Sequence, residues 1–174
     1  MSNRNKWEED LELDRKMQPV IDSHFKQFFD ISQIIRFTQK ENTPHPLDQY
    51  FGIDGEIILK CGSIITFQTK VRRQKYLKRF GDYFTIEYFS NNLTKTEGEF
   101  FHLASDIYFY GYLNKEETDF EKYHILKVFP LKNFIATNFI KYIQNLRYNK
   151  KHSFASFIPI PFSEIPSQIF IEGN

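Results

Sequence analysis

The sequence predicts a single domain of the α/β (α+β) class, with a central mixed β-sheet flanked by helices. Three observations favour this class. Segments with the apolar spacing of helices lie towards both ends of the chain, and the middle is rich in β-branched and aromatic residues. The third is the length of 174 residues with 41% hydrophobic and 26% charged residues, which suits one buried core and excludes a disordered chain. We therefore expect residues 1–174 to form one domain.

The N-terminal part is predicted to be helical. Residues 7–18 form a helix or a polar lead-in, and Pro19 suits the first turn of the helix that follows. Apolar residues recur at helical spacing from Val20 to Ile35, which predicts an amphipathic helix ending near Arg36. Residues 38–48 contain two prolines and many polar residues, as is typical of a loop.

The middle of the chain is predicted to consist of strands. The first two, 49–59 and 63–73, flank the turn "KCG" and form a hairpin. Alternation predicts a third strand over 82–90, followed by a short helix or turn within 93–104. Two more strands, 105–113 and 123–131, enclose an acidic loop.

The C-terminal part is predicted to hold a second helix and an extended tail. Pro130 opens the helix, an apolar stripe runs from Leu131 to Leu146, and basic residues from Arg147 onwards suit its C-terminal end. Residues 154–171 contain three prolines and are expected to lie extended along a sheet edge.

The hairpin determines which side chains share a face of the sheet. With a three-residue turn at 60–62, Leu59 pairs with Ser63 and Asp54 pairs with Gln68, and paired residues point to the same face. The period of two then places one apolar set on one face: Ile53, Ile57, Leu59, Ile65, Phe67 and Val71. The opposite face carries a polar set: Asp54, Glu56, Gln68, Lys70 and Arg72, with Thr66 beside them.

The polar set has the groups that phosphodiester hydrolysis requires. Mg²⁺ takes oxygen ligands, typically with one or two protein carboxylates. Asp54 offers a charged oxygen, and the Gln68 side chain and the Thr69 backbone carbonyl offer neutral ones. Lys70 offers a positive charge that offsets charge on phosphorus. A basic run follows and is predicted to contact nucleic-acid phosphates: Arg72, Arg73, Lys75, Lys78 and Arg79.

The motif "GID", followed fourteen residues later by "QTK", resembles the PD-(D/E)XK nuclease superfamily, in its Q-x-K variant. In that family the aspartate lies on the second core strand, and the [E/Q]-x-K lies on the third strand, after a hairpin. A helix with an acidic residue precedes them. The segments "LDQYFGID", "ITFQTKVRR", "DYFTIEYFS" and "GEFFHLASDIYFYG" resemble phage and bacterial members, and the resemblance covers about residues 8–145.

The resemblance implies a restriction-endonuclease-like fold and a Mg²⁺-dependent endonuclease acting on DNA, with Mn²⁺ as a substitute metal. It implies Asp54 as a metal ligand, Gln68 as the weaker ligand and Lys70 as the group that orients or activates water. Glutamine replaces the commoner glutamate, which removes a negative charge and weakens Mg²⁺ binding. The helix acid is one of four, of which Glu12 is favoured: Glu8, Glu9, Glu12 and Asp14. Three further acids are alternatives: Asp48, Asp82 and Glu87.

The sequence leaves other functions open. A catalytically inactive nucleic-acid-binding or interaction module on the same fold is the alternative, because Gln68 leaves the site short of carboxylates. RNA is also open as a substrate, since no motif tests for a 2′-hydroxyl. Members of the superfamily often act as dimers, which implies that the chain could form a homodimer.

Composition excludes several classes of site. Cys61 is the only cysteine, so neither an internal disulfide nor a cysteine-based zinc site is expected. No apolar run approaches about 20 residues and the first sixteen residues lack an apolar signal core, so we expect a soluble, intracellular (cytoplasmic) protein without a membrane span. The net charge is +1, so DNA binding would depend on the local basic run.

Overall fold

The N-terminal helix, α1 (Asn3–Phe28), runs without a break through Pro19. The structure is a computed structural model and describes residues 3–37, 45–149 and 154–173. Within these ranges, side chains are described from residue 9 to residue 172. The prediction that Pro19 begins a helix was wrong. Pro19 and Arg15 are both exposed, so the Arg15 carbonyl that loses its helical partner faces water. One apolar stripe of α1 is buried: Leu13, Met17, Ile21 and Phe25.

Residues 31–36 form a strand, β1 (Ile31–Arg36), where the sequence predicts the end of a helix. β1 pairs with β2 (Gly55–Leu59) in antiparallel orientation, with Ile31 opposite Leu59. The prediction was wrong because isoleucines at short helical intervals are equally compatible with a strand, and β-branched side chains favour one.

The other elements follow in chain order. The first group is α2 (Pro46–Phe51), β3 (Ile64–Arg72), a 3₁₀ turn (Gln74–Tyr76), α3 (Leu77–Phe80), β4 (Tyr83–Asn91) and β5 (Thr96–Glu97). The second group is α4 (Glu99–His102), β6 (Ile107–Leu113), β7 (Phe120–Lys127), α5 (Val128–Thr137) and α6 (Phe139–Ile143). The last group is β8 (Arg147–Tyr148), β9 (Ser156–Pro161), two 3₁₀ turns (Phe162–Glu164 and Ser167–Ile169) and β10 (Phe170–Gly173).

The strands form a central six-stranded sheet and a smaller four-stranded sheet. The central sheet has the order β1-β2-β3-β6-β7-β10, and it is mixed because β3 and β6 are parallel whereas the other neighbours are antiparallel. The second sheet has the order β5-β4-β9-β8 and is antiparallel. The predicted central mixed sheet is therefore confirmed, whereas the second sheet was not predicted.

Both faces of the central sheet are covered. α1 packs on one face with a cluster that includes Phe67, Phe109 and Ile125. On the other face, Tyr108 and Tyr110 pack against residues of β4, β9 and α5. The polar residues of the β2–β3 hairpin therefore lie beside the layer that β4, β9 and α5 form on this face of the central sheet.

The predicted second helix is broken into α5 and α6. Pro130 lies in the first turn of α5, as the sequence predicts. At Asn138 the backbone leaves the helical region (φ −106°, ψ 19°), and the side-chain Nδ2 of Asn138 donates to the Phe134 carbonyl at 2.9 Å. Such a side chain competes with the helical ladder. Arg147, predicted at the end of the helix, belongs to β8.

The C-terminal tail is extended, but only β10 lies at an edge of the central sheet. β9 pairs on both sides, with β4 and with β8. None of the helices in the described ranges is long and apolar enough to cross a membrane.

Candidate active site

The hairpin has the predicted three-residue turn. The Leu59 N–H donates to the Ser63 carbonyl at 2.9 Å, and the pairing continues to Gly55 opposite Phe67. At Asp54 the ladder becomes irregular, because the Asp54 N–H also donates to the Phe67 carbonyl, at 2.8 Å. Asp54 and Gly55 therefore both oppose Phe67, as in a β-bulge, and the Asp54 side chain is shifted relative to the predicted pairing.

Asp54 contacts two residues of β3. Thr69 donates its backbone N–H and its hydroxyl to Oδ2 of Asp54, at 2.7 and 2.6 Å. The Gln68 carboxamide faces Oδ1 of Asp54 and the Gly52 carbonyl, both acceptors, so we assign Nε2 to this side, where it donates to them at 3.2 and 2.8 Å. The structure thus brings together Asp54, Gln68 and Thr69, with the donor side of the Gln68 amide towards the carboxylate.

Two further acids face the same cleft, which has a volume of about 120 Å³. Asp14 lies on α1 and Asp48 on α2, and both line the cleft together with Asp54. Asp48 and Asp54 are close enough to share a hydrogen bond. Among the four helix acids of the sequence prediction, Asp14 reaches the cleft, whereas Glu12 and Glu9 are exposed and do not line it. The side chain of Glu8 lies outside the described residues.

The cleft disfavours uncompensated negative charge. Burial raises the pKa of Asp54 to about 7, and the neighbouring Asp48 adds to this although the Thr69 hydrogen bonds oppose it. Burial also raises the pKa of Asp48. Asp14 is exposed as a residue, yet loss of hydration at its carboxyl group, followed by repulsion from Asp10 and Asp48, raises its pKa to about 6. Such a group of carboxyls attracts a cation.

The cleft also contains positive charge at its rim. Arg15 and Arg36 line it, but the Arg36 guanidinium is held by the Asp22 carboxylate and lies 5.0 Å from the centre of the Phe67 ring. Arg36 is therefore occupied by another acid, and the charge of the three cleft aspartates is only partly offset.

Lys70 is held by Glu99, the first residue of α4. Its Nζ lies 2.6 Å from Oε2 of Glu99, and Oε1 of Glu99 accepts the Tyr108 hydroxyl. Burial alone would raise the pKa of Glu99, but Lys70, Tyr108 and Arg72 outweigh it and hold the pKa below the usual value. The charge of Glu99 also raises the pKa of Asp48. The Lys70–Glu99 ion pair and the cleft that contains Asp48 and Asp54 are therefore electrostatically linked.

The remaining predicted acids have separate positions. Glu87 is half-buried, and burial raises its pKa against the attraction of Lys70. Asp82 is 96% exposed, with Lys122 Nζ at 3.7 Å, and lies outside the cleft lining.

The basic run divides into tethered and exposed residues. Arg73 is bound to Glu117 at 2.9 Å and lies 3.7 Å from Asp10. Arg72 donates to the Thr85 hydroxyl at 2.6 Å. Lys75, Lys78 and Arg79 are exposed. Of the predicted phosphate contacts, these three are the exposed ones, whereas Arg72 and Arg73 are only partly exposed and bind other side chains.

The donor set fits a hard cation bound largely through water. Within residues 3–37, 45–149 and 154–173, no group of three or more histidine, cysteine or acidic side chains is arranged to hold a metal ion. Mg²⁺ keeps several waters and needs only one or two carboxylates, and Asp48 and Asp54 supply two. Burial is the main cause of the raised pKa of both carboxyl groups, and the charge of Asp48 adds to it at Asp54.

Glu99 is the functional candidate that the sequence does not identify. It stands next to Gly98 in a segment predicted as a short helix or turn, 29 residues from Lys70. The crossover from β3 to the parallel strand β6 brings it to Lys70, and no local pattern signals such a contact.

Comparison of the chain with protein-family models, with curated proteins and with solved structures gives no match.

Proposed function

We propose that the protein is a metal-dependent nuclease that hydrolyses phosphodiester bonds in DNA. The contact of Asp54 with Gln68 and Thr69, with Lys70 two residues further along β3, carries this proposal. Side chains two apart on a strand share a face, so Lys70 lies on the Gln68 side of β3. Thr69 points to the opposite face and lines the cleft, which Gln68 and Lys70 do not line. In the proposal Asp54 links the two faces, since its Oδ2 contacts Thr69 and its Oδ1 lies towards Gln68.

The order of elements supports the proposal. Asp54 immediately precedes β2, the segment from Gln68 to Lys70 lies on β3, and α1 contributes Asp14 to the same cleft. This agrees with the arrangement expected from the PD-(D/E)XK resemblance, and a restriction-endonuclease-like fold is part of the proposal.

Asp54 and Asp48 would hold Mg²⁺ or Mn²⁺. Gln68 is the third oxygen ligand in the proposal, since a half-turn of its carboxamide exchanges Nε2 for Oε1. When bound, the ion supplies a Lewis acid that polarises the phosphate and lowers the pKa of water.

The side chains around the ion have distinct roles. Thr69 fixes the orientation of Asp54 through two hydrogen bonds. Lys70, paired with Glu99, orients water and offsets the charge that develops on the phosphate oxygens. The exposed Lys75, Lys78 and Arg79 contact the DNA backbone.

The proposal places the protein in the cytoplasm. It also includes a homodimer, which light scattering after size exclusion would detect.

Cleavage assays test the proposal directly. Supercoiled, linear and single-stranded DNA, and an RNA of the same sequence, are incubated with the protein in Mg²⁺, Mn²⁺ or EDTA. We expect metal-dependent cleavage of DNA, reduced at least about a hundredfold in Asp54→Asn and Lys70→Met. Asp82→Asn and Lys95→Met are matched controls, since both side chains lie outside the cleft lining. Equal cleavage by all variants, or none by the wild type, contradicts the proposal.

Metal binding gives a second measurement. Mn²⁺ titration by calorimetry is expected to show one site in the wild-type protein and in Asp82→Asn, and none in Asp54→Asn. Absence of binding to the wild type would exclude Asp54 as a ligand.

One observation favours a second candidate function. Lys70 is engaged by Glu99, and in the described part of the chain no three histidine, cysteine or acidic side chains are arranged to hold a metal ion. A nucleic-acid-binding module without catalysis would retain this arrangement. DNA binding in EDTA combined with no cleavage in either metal would identify it.

A further inference from the structure

A second cavity, which we call the arginine cavity, lies where the end of β3 meets α3, β4 and the strands β8 and β9. Its volume is about 400 Å³, and three arginines line it: Arg72, Arg79 and Arg147. The sequence predicts Arg72 and Arg79 as phosphate contacts, but it places Arg147 at the end of a helix. The fold therefore gathers three positive charges from distant parts of the chain.

The positive charge of this cavity has no carboxylate beside it in the lining that the structure describes. Among the residues whose side chains the structure describes, no carboxylate lines the cavity, and none of the three arginines forms an ion pair. Arg79 and Arg147 both lie over the Phe80 ring, at 5.0 and 5.8 Å from its centre. Arginines brought together in this way repel one another unless an anion lies between them.

Arg72 has a donor without a partner at this position. Its Nη2 donates to Thr85 and its guanidinium lies 5.4 Å from the centre of the Tyr110 ring. Its Nε is buried and has no hydrogen-bond partner within the described ranges. The planar guanidinium is suited to bidentate binding of phosphate, and Arg72 lines the cavity although its Nε is closed to solvent.

Aromatic rings complete the walls. Tyr76, Phe80, Tyr148 and Phe157 line the cavity, and Tyr148 is 52% exposed. Nucleobases stack on such rings whatever their sequence. The volume falls within the range of about 300–1,000 Å³ that pockets for small ligands have. Phosphate-binding arginines beside stacking surfaces suit a ligand that has both a phosphate and a flat aromatic ring.

We propose that the arginine cavity binds a single nucleotide, with its phosphate on Arg72, Arg79 and Arg147 and its base against Tyr148. The nucleotide is either free or the end of a nucleic-acid strand, since both present the same phosphate and base. This binding does not require that the Asp54 cleft is catalytic. Arg72 lies two residues beyond Lys70 on β3, about 7 Å along the strand, so the two sites adjoin.

Calorimetry in EDTA, where metal-dependent cleavage is absent, tests the proposal. Adenosine 5′-monophosphate is compared with adenosine and with inorganic phosphate, and single-stranded decamers with and without a 5′-phosphate are compared by fluorescence anisotropy. We expect the monophosphate or the 5′-phosphorylated decamer to bind at least about tenfold more tightly than its partial analogues. Preference for the free nucleotide or for the strand distinguishes the two sources. Binding that inorganic phosphate matches, or no binding of either ligand, overturns the proposal.

Variants locate the binding. Arg147→Gln and Arg79→Gln are expected to weaken nucleotide binding about tenfold. Arg79 is exposed, so its replacement should leave the fold intact. Lys115→Gln is the control, because Lys115 is exposed, lies outside the basic run and does not line the cavity. Tyr148→Ala should weaken binding and Tyr148→Phe should preserve it. Equal losses in Lys115→Gln and Arg147→Gln would refute a specific site. Asp54→Asn should bind like the wild type, whether or not the wild type cleaves DNA.

Discussion

Lys70 and Glu99 form an ion pair at the border between the two layers of the protein, with 2.6 Å between Nζ and Oε2. The side chains keep 25% and 17% of their surface exposed. Glutamine in place of Glu99 would remove the charge that faces a half-buried ammonium and leave one acceptor oxygen for two donors, Lys70 and Tyr108.

We therefore predict that Glu99→Gln lowers the free energy of unfolding by about 2–3 kcal/mol. The double variant Glu99→Gln with Lys70→Met should lose less than the sum of the two single variants, because the two residues interact. Urea denaturation measures both. Glu97→Gln, at a position 57% exposed, is the control and should change little. Equal effects at Glu97 and Glu99 would show that the pair contributes no stability.

Asp54→Asn is predicted to stabilise the protein at pH 8 without added metal. Asp54 is ionised there at a free-energy cost, since burial raises its pKa to about 7. Asparagine has no charge and can still accept from Thr69. We expect a gain of about 1 kcal/mol, or roughly 2–4 °C in melting temperature. Asp82→Asn should stay within about 0.5 kcal/mol of the wild type. A lower melting temperature for Asp54→Asn would mean that the ionised carboxylate stabilises the fold.

Gly55→Ala is predicted to destabilise the hairpin and displace Asp54. A Cβ at Gly55 would lie 2.3 Å from the Ile35 carbonyl oxygen on β1 and 2.6 Å from Phe67 on β3. Since strands flank it on both sides, we expect a loss of about 3 kcal/mol or more. A Cβ at Gly62, in the hairpin turn, would meet no atom within 4 Å. The only strain in Gly62→Ala would come from the backbone φ of +87°. It should cost about 1 kcal/mol. Thermal unfolding of both variants checks the difference.

His124 is predicted to make the protein sensitive to acid. The ring is buried, and its centre lies 4.0 Å from the centre of the Phe162 ring. Neither ring nitrogen has a hydrogen-bond partner in the part of the chain that the structure describes. Burial, and then the charge of Lys122, lowers its pKa from 6.5 to about 4. The unfolded chain binds the proton more readily, so the stability contributed by His124 is complete above pH 6.5 and is lost as the pH falls towards 4.

The wild type should lose about 2 kcal/mol more than His124→Phe between pH 7 and pH 5. Urea denaturation at the two pH values measures this difference. His102→Phe, at a more exposed histidine, should retain the acid sensitivity of the wild type. An identical pH dependence in the wild type and His124→Phe would rule out His124 as its source.

The hairpin was predictable because its determinants are local. A three-residue turn and a period of two place Asp54 near Gln68, and only the bulge at Asp54 escapes this argument. β1 was not predictable, because three isoleucines within a short segment fit a helix and a strand alike.

The contacts that give the sites their charge are not local. Glu99 reaches Lys70 through the crossover between β3 and β6, and Arg147 reaches the arginine cavity through pairing of β8 with β9. No residue pattern close to Lys70 or Arg72 specifies either arrangement. Asp14 could be placed only among four acids of one helix, since the side that faces the cleft depends on packing.

The two sheets alternate along the chain: β1–β3 and β6–β7 belong to the central sheet, β4–β5 and β8–β9 to the smaller one, and β10 returns to the first. The smaller sheet is therefore incomplete until β9 has been synthesised, and the central sheet until β10 has been synthesised. Such distant pairings slow folding, and they join both sheets in one cooperative unfolding transition. A proteolytic cut before β9 would remove strands from both sheets at once, so neither half should persist as an independent domain.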